Sequence, residues 1–392
     1  MTNVEQIKVT VDTFTNTFGI GPQGVWKAPG RINLIGEHTD YNQGLVLPFA
    51  IEQSCYALIA PRNDSLVRVS SIRSSHKPIT VESPHNFDLE TLTASTCRTW
   101  LAFPKGICFF LSKKGMNTGA DIAVLGQVPI GSGLSSSAAL ACAIALGLNE
   151  IYSLGLTKME LAQLVSKAEN IFAGVPAGIM DPAASLLAVK DHLLFLDTDS
   201  ECYEQVPFLY SSQDAQLILI DTNDRHRLSE SGYALRRQQC KFACEQLGVK
   251  SLREITFDDL DSTLSKLDDP LLRRRVAHVV TENQRVISAL DAVRTNNYFA
   301  LGSILTQGHM SLKNNYDVST QRLDLAVDTA IASGALGARM TGGGFGGSVL
   351  ALAPKSAAST ISKSIEQSFS AQGFAAPTIY FPTPCQGAIR LS

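Results

Sequence analysis

Charge is scarce in this sequence. Charged residues fill 18% of 392 positions, and 33 Lys and Arg stand against 36 Asp and Glu for a net charge of −3. Such a balance excludes a basic footprint for sequence-independent nucleic-acid binding. Long apolar runs are missing too. The longest, residues 138–148, falls far short of the roughly 20 residues of a membrane span. Met1 to Phe14 holds one lysine and no continuous apolar stretch, so it does not read as a secretory signal. Eight cysteines are sparse, and no C-x-x-C pair occurs. Cys240 and Cys244 stand one helical turn apart, but no nearby histidine completes a zinc pattern. The cysteines read as reduced core thiols of a cytoplasmic protein. Heptads, repeats and low-complexity tracts are absent, which argues against coiled coils and solenoids. Hydrophobic residues, at 45%, suffice for large cores and exclude a wholly disordered chain.

What the sequence has in excess is clustered glycine, 29 residues in all. The length suggests two to three domains at about 150 residues each. Val4, Ile7, Val11, Phe14 and Phe18 recur at helical spacing and predict an N-terminal helix ended by glycines 19–24. Residues 55–60, 66–70 and 120–125 read as strands. Thr157 and Glu160 form a capping box for a helix running to about Phe172. A strand at 217–220, mostly helix from 228 to 332, and strands at 350–352 and 379–381 follow. Strands, then helices, then strands, without regular βαβ alternation, predict α+β layers. A polar stretch at 200–212 marks a boundary, giving domains at 1–205 and 206–392.

Three clusters carry candidate chemistry. Around Pro129 the chain reads VPIGSGLSSSAAL. Gly131 and Gly133 permit turns that a Cβ would block. Ser132, Leu134 and the run Ser135, Ser136 and Ser137 lead into a helix, whose unpaired N–H groups and dipole suit an anion. An ordinary strand–turn–helix with serine caps is the alternative. The loop is not a Walker loop, since no G-x-x-x-x-G-K-[ST] occurs. Nor is it a dinucleotide fingerprint, because Ser136 stands at the third glycine position. The second cluster, MTGGGFGGS at 340–348, has five glycines in six positions. It reads as a structured loop allowing close backbone approach. The third, GRINLIGEHTDYN at 30–42, packs Arg31, Glu37, His38 and Asp40 beside two glycines. Carboxylates beside a histidine suit hydrogen bonds to several hydroxyls. A polar surface turn is the other reading.

Together these clusters closely resemble the galactokinase family within the GHMP small-molecule kinases. The signature at 30–42 continues through Gly44 and Val46-Leu47-Pro48. The loop at 129–140 resembles the family's ATP-phosphate loop, 340–348 its third motif, and Gly178-Ile179-Met180-Asp181 its catalytic segment. The likeness spans roughly Trp26 to Leu352. It implies a two-domain α+β GHMP-kinase fold, with an N-terminal ribosomal-protein-S5-domain-2-like half, a ferredoxin-like C-terminal half and a site in the cleft between them. It implies transfer of the γ-phosphoryl group of MgATP to the anomeric hydroxyl of D-galactose, the first committed step of galactose catabolism.

The resemblance also implies roles. Asp181 matches the catalytic aspartate, and Arg31 the arginine that steadies it and the phosphoryl group. Ser137 and Glu169 match Mg²⁺ ligands. Glu37, His38, Asp40, Gly178 and Tyr233 match sugar contacts. Gly131, Ser132, Gly133, Leu134, Ser135, Ser136 and Ser137 would hold ATP, with Trp100 near the adenine. Phosphoryl transfer asks chiefly for positioning and charge stabilisation, which these residue types supply. Sugar and ATP are the expected partners, with no nucleic acid or membrane, in a monomer. The sequence departs from the family at Pro182, Ala183 and Ala184, where glutamine and bulkier residues are usual, and at Ala177, where many relatives have cysteine. That departure motivates a rival reading as a kinase for N-acetylgalactosamine, arabinose or a uronic acid. A sugar- and ATP-binding sensor is a further alternative, against which the intact serine loop argues. A dinucleotide-dependent oxidoreductase would rest on Gly131 and Gly133 alone.

Overall fold

Apolar residues on alternate sides of the early strands build a sheet covered on both faces. The computed structural model describes residues 3–73, 80–175, 177–224 and 229–392, and side chains from residue 8 onward, apart from 73, 80, 212–213 and 229–231. Helix α1 (Asn3–Phe18) ends at Gly19, whose φ of 81° is a left-handed turn. The expected stripe is met by Phe14 and Phe18, buried with Val11 packed alongside, while the Val4 and Ile7 side chains lie outside those described. Strands β1 (Gly24–Asn33), β2 (Leu45–Val46), β3 (Pro48–Pro61), β4 (Leu66–Arg73), β5 (Thr80–Val81) and β6 (His85–Asp88) follow. Helix α2 (Ala102–Ser112) leads to β7 (Ala120–Gly126). With β14 (Ile389–Arg390) from the far end of the chain, these strands form a sheet ordered β14–β1–β3–β7–β4–β5, and β6 pairs with β4.

On β3, Tyr56, Leu58 and Ala60 face the α1 side, whereas Ala57 and Ile59 face helix α3 (Ser136–Ile151). Gly147 lets α3 lie close to the sheet, since a Cβ there would stand 2.6 Å from Ile59 Cδ1 and 2.9 Å from the Trp26 ring. Trp26 Nε1 donates to Glu150 Oε2 at 2.8 Å. Helix α4 (Lys158–Ala168) opens with the expected capping box. It stops short of Phe172: a π-helical turn spans Glu169–Ala173, and Gly174 exits at φ 70°. The wider turn keeps both Glu169 and Phe172 buried, a pattern common at functional sites. Helix α5 (Met180–Leu187) follows, and β8 (His192–Asp197) pairs with both β2 and β9 (Tyr203–Pro207).

The second half is a four-stranded antiparallel sheet backed by helices. Strand β10 (Ala215–Asp221) precedes α6 (Ser229–Leu247), α7 (Leu260–Leu264), α8 (Pro270–Arg294), α9 (Tyr298–Asn314) and α10 (Gln321–Ala332). Strands β11 (Gly337–Thr341) and β12 (Ser348–Pro354), helix α11 (Ala358–Ala371) and β13 (Thr378–Tyr380) complete it, in sheet order β11–β12–β10–β13. Ile218 and Ile220 of β10 face a core under α6, α10 and α11. Leu217 and Leu219 point the other way, into a core shared with Ile32, Leu34 and Phe49 from the first half. These are the expected α+β layers. All eight cysteines are free thiols. Among the described residues no helix is long and apolar enough to cross a membrane.

Candidate active site

Strand β1 delivers Arg31 to the junction of the two halves. Its guanidinium grips Asp181 with two prongs, Nε to Oδ1 at 2.7 Å and Nη2 to Oδ2 at 2.9 Å. The third nitrogen, Nη1, donates to the Gly133 carbonyl. Ser135 Oγ also donates to Asp181 Oδ2. Asp181 sits in the first turn of α5, which Ser185 Oγ ties to the Pro29 carbonyl at 2.7 Å. Arg31 is nearly buried, while the Asp181 side chain keeps 29% exposure, so the pair is held from one side and open from the other.

The serine loop and the glycine loop lie against each other. Ser348 Oγ donates to the Ser132 carbonyl at 2.8 Å, and a Cβ at Gly342 would meet the Gly133 carbonyl at 3.0 Å. Ser135 occupies the left-handed region at φ 60° and caps α3, so helix and loop backbone face one cavity of about 410 Å³. Gly131, Gly133, Leu134, Ser135, Ser136 and Ser137 line it, opposite residues 343–347. Ser137 Oγ donates to Glu169 Oε1 at 2.8 Å. Ser132 is buried, its Oγ donating to the Pro129 carbonyl, and it supports the loop from below.

A second cavity of about 190 Å³ opens on the other side of Asp181 and shares Arg31, Ser137 and Tyr233 with the first. Glu37, His38, Asp40, Glu169, Ala177 and Gly178 line it. Gly178 is required here: a Cβ would lie 1.8 Å from Asp40 Oδ2. His38 reaches the wall with both ring nitrogens engaged. Its Nε2 faces the Gly343 carbonyl at 3.2 Å and must donate, so Nδ1 accepts from Tyr41 Oη at 2.8 Å. Tyr316 Oη then donates to Tyr41 Oη at 2.9 Å, and the Cys240 thiol to Tyr316 Oη at 3.1 Å. The motifs give no sign of this role for Tyr316, which lies just past the end of α9, or for Cys240 of α6, which the sequence offers only as a core thiol.

Burial and crowded charge shape the titration of these groups. Burial pushes Glu37 up to about 7 against the pull of Arg339. Burial and then the nearby Asp181 raise Asp40 to about 6 and Glu169 to about 7. Burial, with His278 adding to it, lowers His38 to about 3, so its ring is neutral. Among the described residues no group of three or more His, Cys, Asp or Glu is arranged to hold a metal. Ser137 and Glu169 are nevertheless a pair of hard oxygen donors on the wall between the cavities.

Two expectations meet a different arrangement. Trp100 lines neither cavity. Its ring meets His85 edge-on at 6.2 Å and packs on the N-terminal core, where its apolar surface is partly covered. Pro182, Ala183 and Ala184 also line neither cavity. They are buried in α5, and Pro182 occupies the first turn, where a missing N–H is tolerated. Of the departures noted in the sequence, only Ala177 faces a cavity.

Comparison with known proteins matches three stretches. Residues 12–61 fit the galactokinase galactose-binding signature, 102–188 the GHMP kinases N-terminal domain and 289–371 the GHMP kinases C-terminal family. A galactokinase from Streptomyces coelicolor is 42% identical over 382 residues, covering 97% of each chain. One from Thermotoga petrophila is 38% identical over 345 residues, covering 88% of this chain and 93% of its own. The crystal structure of Lactococcus lactis galactokinase complexed with galactose superimposes with a TM-score of 0.91 at 31% identity, covering 98% of this chain and 100% of that one. A mevalonate kinase from Methanococcus jannaschii, 17% identical with a TM-score of 0.62 over 92% of this chain and 98% of its own, shares the fold.

Proposed function

The chain belongs to the galactokinase family, and from that premise we propose that it transfers the γ-phosphoryl group of ATP to the anomeric hydroxyl of D-galactose, giving galactose 1-phosphate and ADP. The observation that carries this reading is the Arg31–Asp181 fork at the point where the two cavities meet. The smaller cavity, walled by hydroxyl-binding carboxylates and the Tyr233 ring, suits one sugar. The larger, walled by glycine backbone and the α3 N-terminus, suits phosphates.

In this reading Asp181 orients the hydroxyl and accepts its proton. Oδ2 already takes two hydrogen bonds and Oδ1 one, so Oδ1 keeps acceptor capacity for the sugar. Arg31 holds that carboxylate in plane and turns a permanent charge toward the transferring group. Backbone N–H groups of the serine loop and α3 position the phosphates, and the two glycine-rich loops shield them from water. Ser137 and Glu169 would hold Mg²⁺, and the pair fits it. A small hard cation keeps most of its shell as water and phosphate oxygen, and a carboxylate raised by burial gains from a neighbouring cation. When bound, the ion neutralises charge on the phosphate oxygens.

Asp181→Asn tests the assignment. Turnover should fall by about 10²–10⁴-fold with galactose still bound; near-normal turnover would remove Asp181 from the role. A panel of galactose, N-acetylgalactosamine and arabinose compared by kcat/KM tests the sugar, and galactose should rank first. Glu169→Gln should raise the Mg²⁺ concentration for half-maximal rate by roughly 10–100-fold, read from a metal titration at saturating ATP.

A further inference from the structure

The turn that carries Glu37 is held from behind by one face of α8. Glu282 Oε1 accepts from Gly36 N at 3.0 Å, Asn283 Oδ1 from Leu45 N at 2.9 Å, and His278 Nε2 donates to the Glu37 carbonyl at 3.2 Å. Arg339, on β11, reaches into the same place. It is fully buried, its Nη1 donates to the Leu34 carbonyl at 3.0 Å, and its Nη2 lies between two carboxylates. One is Glu282, at 3.3 Å; the other is Glu37 Oε2. Both are buried, but their support is unequal. Glu282 also takes a bond from Arg285 Nε at 2.7 Å. Among the described residues Glu37 has its share of Arg339 and the Gly342 N–H at 3.1 Å as direct partners. Its Oε2 meets Arg339 Nη2 as an ion pair without hydrogen-bond geometry, and its side chain lines the sugar-sized cavity.

We propose that Arg339 and Glu282 are positioning residues for sugar recognition: they divide one guanidinium between two buried carboxylates and so set the aim and charge with which Glu37 meets a sugar hydroxyl. The inference rests on the galactose reading of that cavity. Neither residue belongs to the glycine-rich clusters or the signature turn, and neither lines the cavity, so each acts through Glu37.

The electrostatics give the direction of the effect. Burial raises Glu37 to about 7, Arg339 opposes the rise, Glu282 adds to it, and Arg31 from β1 weakly opposes it. Burial pushes Glu282 up as well, but Arg285 and Arg339 outweigh it and hold Glu282 at about 2. His278, from the same face of α8, is neutral near pH 7, lowered to about 4 by burial. On its own segment Glu37 is flanked by neutral His38 and by Asp40. Below about pH 7 Glu37 therefore holds a proton, so it loses its charge and one of its oxygens turns from acceptor to hydroxyl donor. Removing the Glu282 charge moves that midpoint down, and removing the Arg339 charge moves it up.

The test is calorimetric binding of galactose to the full chain without ATP or Mg²⁺, across about pH 5.5 to 8.5, a range set around these midpoints. Wild type, Glu282→Gln, Arg339→Gln and Arg339→Lys are compared. Glu282→Gln keeps an oxygen for Gly36 N and should lower the acid midpoint by about one unit. Arg339→Gln should raise it by about one unit and weaken binding at pH 7 roughly ten-fold, with Arg339→Lys recovering most of the loss. Asp40 titrates in every variant, so the shift between variants carries the result. If all folded variants share the wild-type midpoint, and differ only by a pH-independent loss of affinity, Arg339 and Glu282 are structural and the proposal fails. Should Arg339→Gln not fold, Glu282→Gln and Arg339→Lys decide alone. A wild type that binds no galactose at any pH overturns the sugar reading instead.

Discussion

At the scale of single residues, the site depends on fit more than on charge count. Asp40 leans so far toward the chain at Gly178 that no Cβ can stand there. Gly178→Ala should therefore displace the Asp40 carboxylate and raise KM for galactose at least roughly ten-fold, with the fold intact because residue 178 lies outside helix and strand. Steady-state kinetics with circular dichroism separate the two effects. The Arg31 fork makes a similar point. Lysine keeps the charge but cannot reproduce two parallel N–H bonds to Asp181 while also reaching the Gly133 carbonyl. Arg31→Lys should lower kcat on the order of 10²-fold through misplacement of Asp181 alone. An unchanged kcat would mean that charge, not orientation, is what Arg31 contributes. His38 is the converse case: its place in the signature matches a sugar contact, yet its ring nitrogens serve the turn and the glycine loop.

At the scale of elements, helix α4 separates what local sequence dictates from what packing decides. Its start is local: Thr157 and Glu160 satisfy each other's backbone N–H groups. Thr157→Ala should cost about 1 kcal/mol of stability with kcat unchanged, since the cap is exposed and far along the chain from Glu169. A thermal melt beside an activity assay checks this. The end of α4 is not local. Periodicity alone carries the helix on to Phe172, but Glu169 must face Ser137 while Phe172 packs against the tilted ring of Phe109, and a π turn meets both demands. Strand β1 was hidden for a related reason. Pro29 and Gly30 argue against a strand by propensity, and they mark a break in register between β1 and β3 that aims Arg31 at the site. Residues lining the two cavities were legible where their spacing in the sequence is dense and unusual. Arg339, Glu282 and Tyr316 were not, because none stands in a motif and each meets the site only through the fold.

At the scale of the whole molecule, the end of the chain returns to the site from behind. Cys385 N donates to Ala50 O at 2.8 Å, Gly387 N to Ala188 O at 2.8 Å and Ala388 N to Ser185 O at 2.7 Å. Lys158 Nζ, at the start of α4, donates to Ala388 O at 2.8 Å. Strand β14 then adds an edge to β1, with Arg390 stacked over Trp26 at 5.1 Å from the ring centre. One short segment thus ties together α4, α5, β1 and β3, the elements that carry or abut Glu169, Asp181 and Arg31. Ser185 is one helical turn from Asp181, so loosening the tail loosens α5 at the residue proposed to accept the sugar proton. Ending the chain after Gln386 should expose the Trp26 edge and free the Ser185 carbonyl. The melting midpoint should fall on the order of 5 °C. Turnover should fall with it at temperatures where the shortened chain is still folded, because α5 is less firmly held. A truncated chain with a lowered midpoint and full turnover would show that the tail stabilises the sheet without steadying Asp181.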